Sequence, residues 1–305
     1  MLTRGWYRHE RRSKALSVIM LLVIMAMCGR TLYRNLDWRD EESLFRSALH
    51  INPPKVAYVN LGASLLADGR TAEAASVLRA GARVDGARVR NRREHDGARV
   101  SALIQLAALH VQRGHWHKAL SAYREALDII PETGVPVVGW NRHVTPHDVT
   151  TQIAYAKLLA RNSSRAVEAE TWYKKALTLA PSEPSVRDQY GLFLRSQRRI
   201  SEAAEQFLAA ARLAPNDGSR AAAAARALRD ARRCRAAERW YARAVQLNPE
   251  IAENHSNLGA ILHLNGKYAQ ALISYHKALK LQPGDEITIT NLKRVQALMT
   301  NGHKK

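Results

Sequence analysis

Four prolines, Pro181, Pro215, Pro249 and Pro283, fall at intervals of 34 residues. Proline lacks a backbone N–H and clashes with the preceding turn, so each one ends a helix and opens a turn. A fixed period of this length specifies a stacked helix–turn–helix repeat. One such pair cannot bury its apolar face alone, so the pairs must stack into an array. Repeats of this kind bind other molecules and rarely perform chemistry themselves.

Other positions keep the same period. An aromatic residue stands 8 places before each proline, and small residues stand 5 and 12 places before it. The four units carry Ala169, Tyr173 and Ala176; Ala203, Phe207 and Ala210; Ala237, Tyr241 and Ala244; Ala271, Tyr275 and Ala278. Two small residues seven apart share a helix face and admit a neighbouring helix, and the aromatic fills the remaining space. The preceding helices supply apolar-small-apolar contacts such as Tyr190, Gly191 and Leu194, or Leu258, Gly259 and Leu262. Upstream, Ala119, Tyr123 and Ala126 precede Pro131 in the same register. Leu61, Gly62, Leu65 and Ala74 open a unit near Lys55, whose aromatic, small and proline places hold Leu78, Gly81 and Gly86. Asp37 to Pro53 supplies a lone second helix with Phe45 and Ala48 in register.

These are tetratricopeptide repeats: a half unit at 37–53, then six full units at 55–88, 100–133, 150–183, 184–217, 218–251 and 252–284. The expected fold is all-α, a right-handed superhelical tetratricopeptide solenoid with one N-terminal transmembrane or signal-anchor helix. Two insertions interrupt the array, one near 87–97 and one near 132–149 with Pro136, Gly139 and Pro146. Residues 285–305 read as a capping helix and tail, with Ile289, Leu292, Val295, Leu298 and Met299 as one apolar stripe and Lys293, Arg294 and Gln296 facing water.

The N-terminus is different material. The uncharged run ALSVIMLLVIMAMCG begins at Ala15, closes at Gly29 and is bracketed by Lys14 and Arg30. As a helix it is ~22 Å long, short of the ~30 Å hydrocarbon core. Two readings remain open. Lengthened to residues 15–33, with Arg30 snorkelling, it is a transmembrane or signal-anchor helix. With Arg4, Arg8, Arg11, Arg12 and Lys14 as a basic leader and Ala26-Met27-Cys28 as a small-residue cleavage candidate, it is a signal peptide. Either reading sends the repeats across a membrane and keeps residues 1–14 cytoplasmic.

The formal net charge is +20. A basic chain suggests nucleic acid or an anionic membrane as partner. Here the basic residues are scattered over the repeat helices, with one denser run at Arg88, Arg90, Arg92 and Arg93, and no nucleic-acid motif or aromatic platform accompanies them. A solvated arginine-rich surface is the reading, and no nucleic acid is expected. Cys28 and Cys234 make no disulfide framework.

The sequence contains no nucleophile elbow, phosphate loop, Rossmann glycines or HExxH. His110, His115 and His117 straddle a turn without a carboxylate or cysteine at ligand spacing, so a satisfied or exposed trio is favoured over a metal site. No cofactor is implied. The acidic run Asp40, Glu41 and Glu42 stands where carboxylates suit a helix N-terminus. Asn162-Ser163-Ser164 and Asn254-His255-Ser256 are N-glycosylation acceptors; Asn162 falls in a turn and Asn254 within a helix.

The stretch from Arg30 to Glu41, RTLYRNLDWRDE, continuing through Ser43, Leu44, Phe45, Arg46, Ser47, Ala48 and Leu49, resembles the junction in one family. The last repeat, NLGAILHLNGK from Asn257 to Lys267, with Leu281-Gln282-Pro283-Gly284-Asp285 and Asn291-Leu292 beyond, is similar to the C-terminal end of the same family. The family is the transmembrane and tetratricopeptide-containing O-mannosyltransferases of the endoplasmic reticulum. There a last membrane helix leads into a lumenal repeat array. The resemblance implies mannose transfer from dolichyl-phosphate mannose to serine or threonine of proteins, with cadherins as substrates. It also implies an endoplasmic-reticulum membrane location with lumenal repeats. The family's catalytic acidic residues lie in an early lumenal loop of a multi-pass portion, so none is carried over to this chain. The expectation is a C-terminal part of such a protein, as a fragment, short isoform or truncated gene model, whose own activity is binding of protein or peptide.

The first helices of such units line a concave groove. The place before each apolar-small pair holds Asn60, Gln105, Tyr155, Gln189, Ala223 and Asn257. Asn60, Gln105, Gln189 and Asn257 offer amides, which pair with both N–H and C=O of an extended peptide. Two classes of function follow. One is the lumenal substrate-presenting arm of an O-mannosyltransferase. The other is a non-enzymatic adaptor, membrane-anchored or secreted, with its own protein partner.

Overall fold

The computed structural model describes residues 2–51, 55–84, 92–130 and 146–302. Among these, every regular element is helical. Pro53, Gly86, Arg88, Arg90, Pro131 and the 132–145 part of the second insertion, with Pro136 and Gly139, lie outside the described residues. The chain divides into two compact units, Met1–Pro131 and Glu132–Lys305.

The first unit opens with α1 (Leu2–Asn35), a short 3-10 turn (Leu36–Trp38) and α2 (Glu41–Ile51). The 34 residues of α1 make a rod about 51 Å long. The segment Val18–Trp38, running from α1 through the 3-10 turn, is long and apolar enough to cross a membrane, and none of it is buried. Leu16, Val18, Ile19, Met20, Leu21, Leu22, Val23, Ile24 and Met25 are all half exposed or more. Asp40 caps α2: its carboxylate accepts from the Ser43 N–H at 2.7 Å, and these bonds hold its pKa below the ordinary carboxylate value.

Two helix pairs follow, α3 (Lys55–Ala67) with α4 (Thr71–Arg83), and α5 (Arg92–Gln112) with α6 (Trp116–Ile129). Leu61, Leu65, Ala74, Leu78, Leu106 and Leu109 form their shared core, with Phe45 and Leu49 of α2 packed on it. Residues 92–97, expected in an insertion, instead extend α5 by more than a turn. Gly97 is the only glycine there, and one glycine costs a helix about 1 kcal/mol. Ala98 and Val100, both buried, follow directly and offset that cost.

The second unit contains α7 (Pro146–Leu159), a 3-10 turn (Ser163–Arg165), α8 (Ala166–Leu179), α9 (Pro184–Ser196), α10 (Ile200–Leu213), α11 (Gly218–Asp230), α12 (Cys234–Leu247), α13 (Ala252–Leu264), α14 (Tyr268–Leu281) and α15 (Glu286–Gly302). Pro146 starts α7 rather than lying in a loop, as suits a residue whose missing N–H is unused in a first turn. Helices α8, α10, α12 and α14 each end two residues before one of the periodic prolines.

The two helices of a pair lock through a small residue facing a large one. A Cβ added to Gly191 would meet Phe207 at 3.0 Å, one on Gly259 would meet Tyr275 at 2.7 Å, and one on Gly62 would meet Leu78 at 2.5 Å. Leu78 thus fills the aromatic place of its degenerate unit. The turn inside a pair is also repeated. The N–H opening the second helix returns to the first, as in Arg70 to the Leu65 carbonyl at 2.8 Å and Lys267 to Leu262 at 2.9 Å. The left-handed residue this closure needs is Gly69, Gly114 or Gly266 in three turns and Arg198 or Arg232, both at φ 59°, in two others.

A ladder of ion pairs couples neighbouring pairs. In four of the turns the cation that closes the turn reaches back to a carboxylate of the preceding second helix. Arg70 meets Glu42 at 2.6 Å, Arg199 meets Glu170 at 2.6 Å, Lys267 meets Glu238 at 2.7 Å, and Arg233 meets Glu205. In α15, Leu292, Val295 and Met299 cover Leu262 and Tyr275. Leu298, expected in that stripe, is 46% exposed, because it lies beyond the strip that meets α13 and α14.

Candidate peptide-binding groove

The candidate groove positions are located by the small-to-large lock. Two residues before each locked small residue, the first helix turns a side chain away from its partner helix. In the second unit Gln189 stands two before Gly191, Ala223 two before Ala225 and Asn257 two before Gly259, and all three are half-buried. In the first unit Asn60 stands two before Gly62 and Gln105 two before Ala107, and both are half-buried.

Tyr155 does not belong to the row. It is 2% exposed and packs edge-on against Trp172 at 5.4 Å. The turn from α7 to α8 is one residue longer than the others. Helix α10 starts nine residues after Gly191, whereas α8 starts ten after the buried Ala156. Asn162 closes this turn by an Asx bond, its Oδ1 accepting from the Ser164 N–H at 3.1 Å and hydroxyl at 2.8 Å, and no left-handed residue is used. By the same spacing the candidate place on α7 is Ala154, two before Ala156.

Asn291 does belong, and fixed spacing would have found it: Asn257 advanced by 34 is Asn291. Its helix repeats the burial of α13, with Thr288 and Val295 buried where α13 buries Asn254 and Ile261. Helix α15 thus caps the array and continues the row Gln189, Ala223, Asn257, Asn291.

The amides are lightly engaged. The Asn257 Nδ2 donates to Glu253 at a long 3.4 Å, and Glu253 also takes Arg226 at 2.9 Å. The Gln105 Oε1 is buried without a hydrogen-bond partner. A buried amide oxygen left unpaired costs about 1–3 kcal/mol, which an incoming N–H would recover. Around the row, Arg195, Arg226 and Arg294 are exposed. The arrangement can hold an extended backbone; it carries no nucleophile paired with a base.

Among the described residues no group of three histidine, cysteine or acidic side chains could hold a metal. His110 is buried, its ring 5.9 Å from that of His115. Cys28 is exposed and Cys234 half-buried, and both are free thiols. Of the two glycosylation acceptors, Asn162 is exposed in its turn. Asn254 is 5% exposed inside α13, so the folded chain does not present it.

Tetratricopeptide-repeat models match residues 102–136 and 252–285. The chain is 39% identical to Protein O-mannosyl-transferase Tmtc2 of Drosophila melanogaster, across 62% of this chain and 30% of that protein. It is 36% identical to Protein O-mannosyl-transferase Tmtc1 of the same fly, across 61% of this chain and 32% of that one. Human Protein O-mannosyl-transferase TMTC2 is 32% identical across 88% of this chain and 43% of its own length. The chain spans less than half the length of each of these relatives. Among solved structures, the C-terminal part of a tetratricopeptide protein from Cytophaga hutchinsonii superposes with a TM-score of 0.62 at 13% identity, covering 86% of this chain and 97% of that one. That likeness concerns the fold alone.

Proposed function

We propose that the chain is the protein-binding arm of an enzyme like the transmembrane and tetratricopeptide-containing O-mannosyltransferases it is similar to. Helix α1 is the membrane stem. The basic residues before its apolar run hold its start on the cytoplasmic side, which puts the helix pairs in the lumen of the endoplasmic reticulum. There the repeats hold an extended segment of a protein substrate, of the cadherin class, whose serine or threonine receives mannose from dolichyl-phosphate mannose.

The observation that carries this reading is the amide row. Gln189, Asn257 and Asn291 recur at multiples of 34 on first helices and are each only half-buried. An amide donates to a peptide carbonyl and accepts from a peptide N–H, so a row of amides reads backbone rather than side chains. Each such bond contributes about 1 kcal/mol net. The test is a titration of the full chain in detergent with a fluorescent cadherin-derived peptide. Asn257→Ala with Asn291→Ala removes at least two such bonds and is expected to weaken binding about thirtyfold. Unchanged affinity would remove the groove from the mechanism.

Location has its own test. Asn162 is exposed, so in cells it is expected to carry an N-glycan, read as an endoglycosidase-sensitive mobility shift that Asn162→Gln abolishes. A wild-type chain with no shift would contradict a lumenal array.

A further inference from the structure

Helices α4, α5 and α6 enclose an open cleft of about 700 Å³. Its walls carry Arg79 and Arg83 from α4, Arg99 and His110 from α5, and Lys118 and Glu125 from α6. Four fixed cations therefore face one carboxylate. Glu125 is already engaged by Arg99 at 2.6 Å. Among the described residues no carboxylate pairs with Arg79, Arg83 or Lys118.

Two polar atoms of the wall are stranded. The Nδ1 of His110, a residue 6% exposed, and the Nε of Arg99 are buried without hydrogen-bond partners. Burial above all, and then the neighbouring cations with Lys118 first among them, lower the His110 pKa below the ordinary histidine value. Space is made by Ala122, which stands one residue before Tyr123. The same place on α12, one before Tyr241, holds Trp240, and the corresponding recess there is only about 400 Å³.

We propose that this cleft binds a compact polyanion bearing phosphoryl groups, gripped by Arg79, Arg83 and Lys118. A carboxylate satisfies one guanidinium fork; a phosphoryl group presents oxygens to several cations at once, which suits charges converging from two helices. The volume falls within the range of small-molecule sites and exceeds what a single phosphate needs. The phosphoryl group could be free or on a lipid headgroup, and the cleft chemistry is the same. No amide of the row lines the cleft, and the proposal does not depend on the row.

The test uses the full chain in detergent. Inorganic pyrophosphate is titrated calorimetrically, and vesicles containing a phosphoinositide serve as the lipid-borne probe in a parallel flotation assay. Arg83→Ala with Lys118→Ala is expected to weaken binding of whichever probe is taken at least tenfold. Glu125→Gln should tighten it several-fold by releasing Arg99, a gain that misfolding cannot imitate. Asn257→Ala with Asn291→Ala should leave it unchanged. Absence of binding by both probes at millimolar phosphoryl group overturns the proposal, as does binding indifferent to Arg83, Lys118 and Glu125.

Discussion

Truncating Tyr275 to alanine lowers the stability of the last helix pair by about 3–5 kcal/mol, the range for deleting a buried aromatic ring. Tyr275 is fully buried among Leu262, Ala271 and Val295, with Leu258, Leu272, Leu292 and Met299 packed around them. Its ring occupies the space that Gly259 leaves by having no Cβ. The ring joins three helices at once, because Leu262 lies on α13 and Val295 on α15. Its hydroxyl does the opposite of its ring. That oxygen is buried without a partner, and burial pushes its pKa up to about 12. Tyr275→Phe should therefore be neutral or stabilising, by up to about 1 kcal/mol. Gly259→Ala should cost about 1–3 kcal/mol through overpacking against the same ring. Urea unfolding gives the magnitudes, and hydrogen exchange shows whether α13, α14 and α15 loosen together, as nearest-neighbour coupling requires. If Tyr275→Phe proved as harmful as Tyr275→Ala, the lock would have been misread.

What the sequence made legible follows from how tightly each position is constrained. Second helices all present a large residue to a small one. Hence Tyr173, Phe207, Tyr241 and Tyr275 are all buried, and even Leu78 could be placed without an aromatic. First helices were harder, because their register is inherited through the turn. A turn with a left-handed residue has constant length, but the Asn162 turn does not, and one extra residue shifted Tyr155 out of the groove and Ala154 into it. Asn291 was hidden for a different reason. The apolar stripe on α15 reads as a cap, and a cap gives no reason to expect a groove residue on its polar face. The cationic cleft was invisible in one dimension. Its six ionisable groups come from three helices, and an alanine at position 122 lines the space between them.

Replacing Glu170 by glutamine is expected to cost about 2 kcal/mol at neutral pH, and to cost nothing in acid. The carboxylate takes the Arg199 guanidinium at 2.6 Å, the Tyr190 hydroxyl at 2.8 Å and Lys174 at 2.9 Å. Arg199 above all holds its pKa at about 2, against an ordinary 4.5. A folded-state pKa below the unfolded one means stability that is complete above pH 4.5 and lost as pH falls towards 2. Solvent takes back part of the interaction, so the cost is set by hydrogen bonds to charged groups rather than by the full shift. Glu202 supplies the control. It also holds Arg199 at 2.6 Å, but its side chain is 55% exposed and the pair lies within one helix start. Glu202→Gln should change little, because only Glu170 joins one helix pair to the next. Thermal unfolding at pH 7 and pH 2 separates the cases. Wild type and Glu170→Gln should differ at the first and converge at the second, whereas a difference that persists at pH 2 would mean the side chain acts through packing rather than charge.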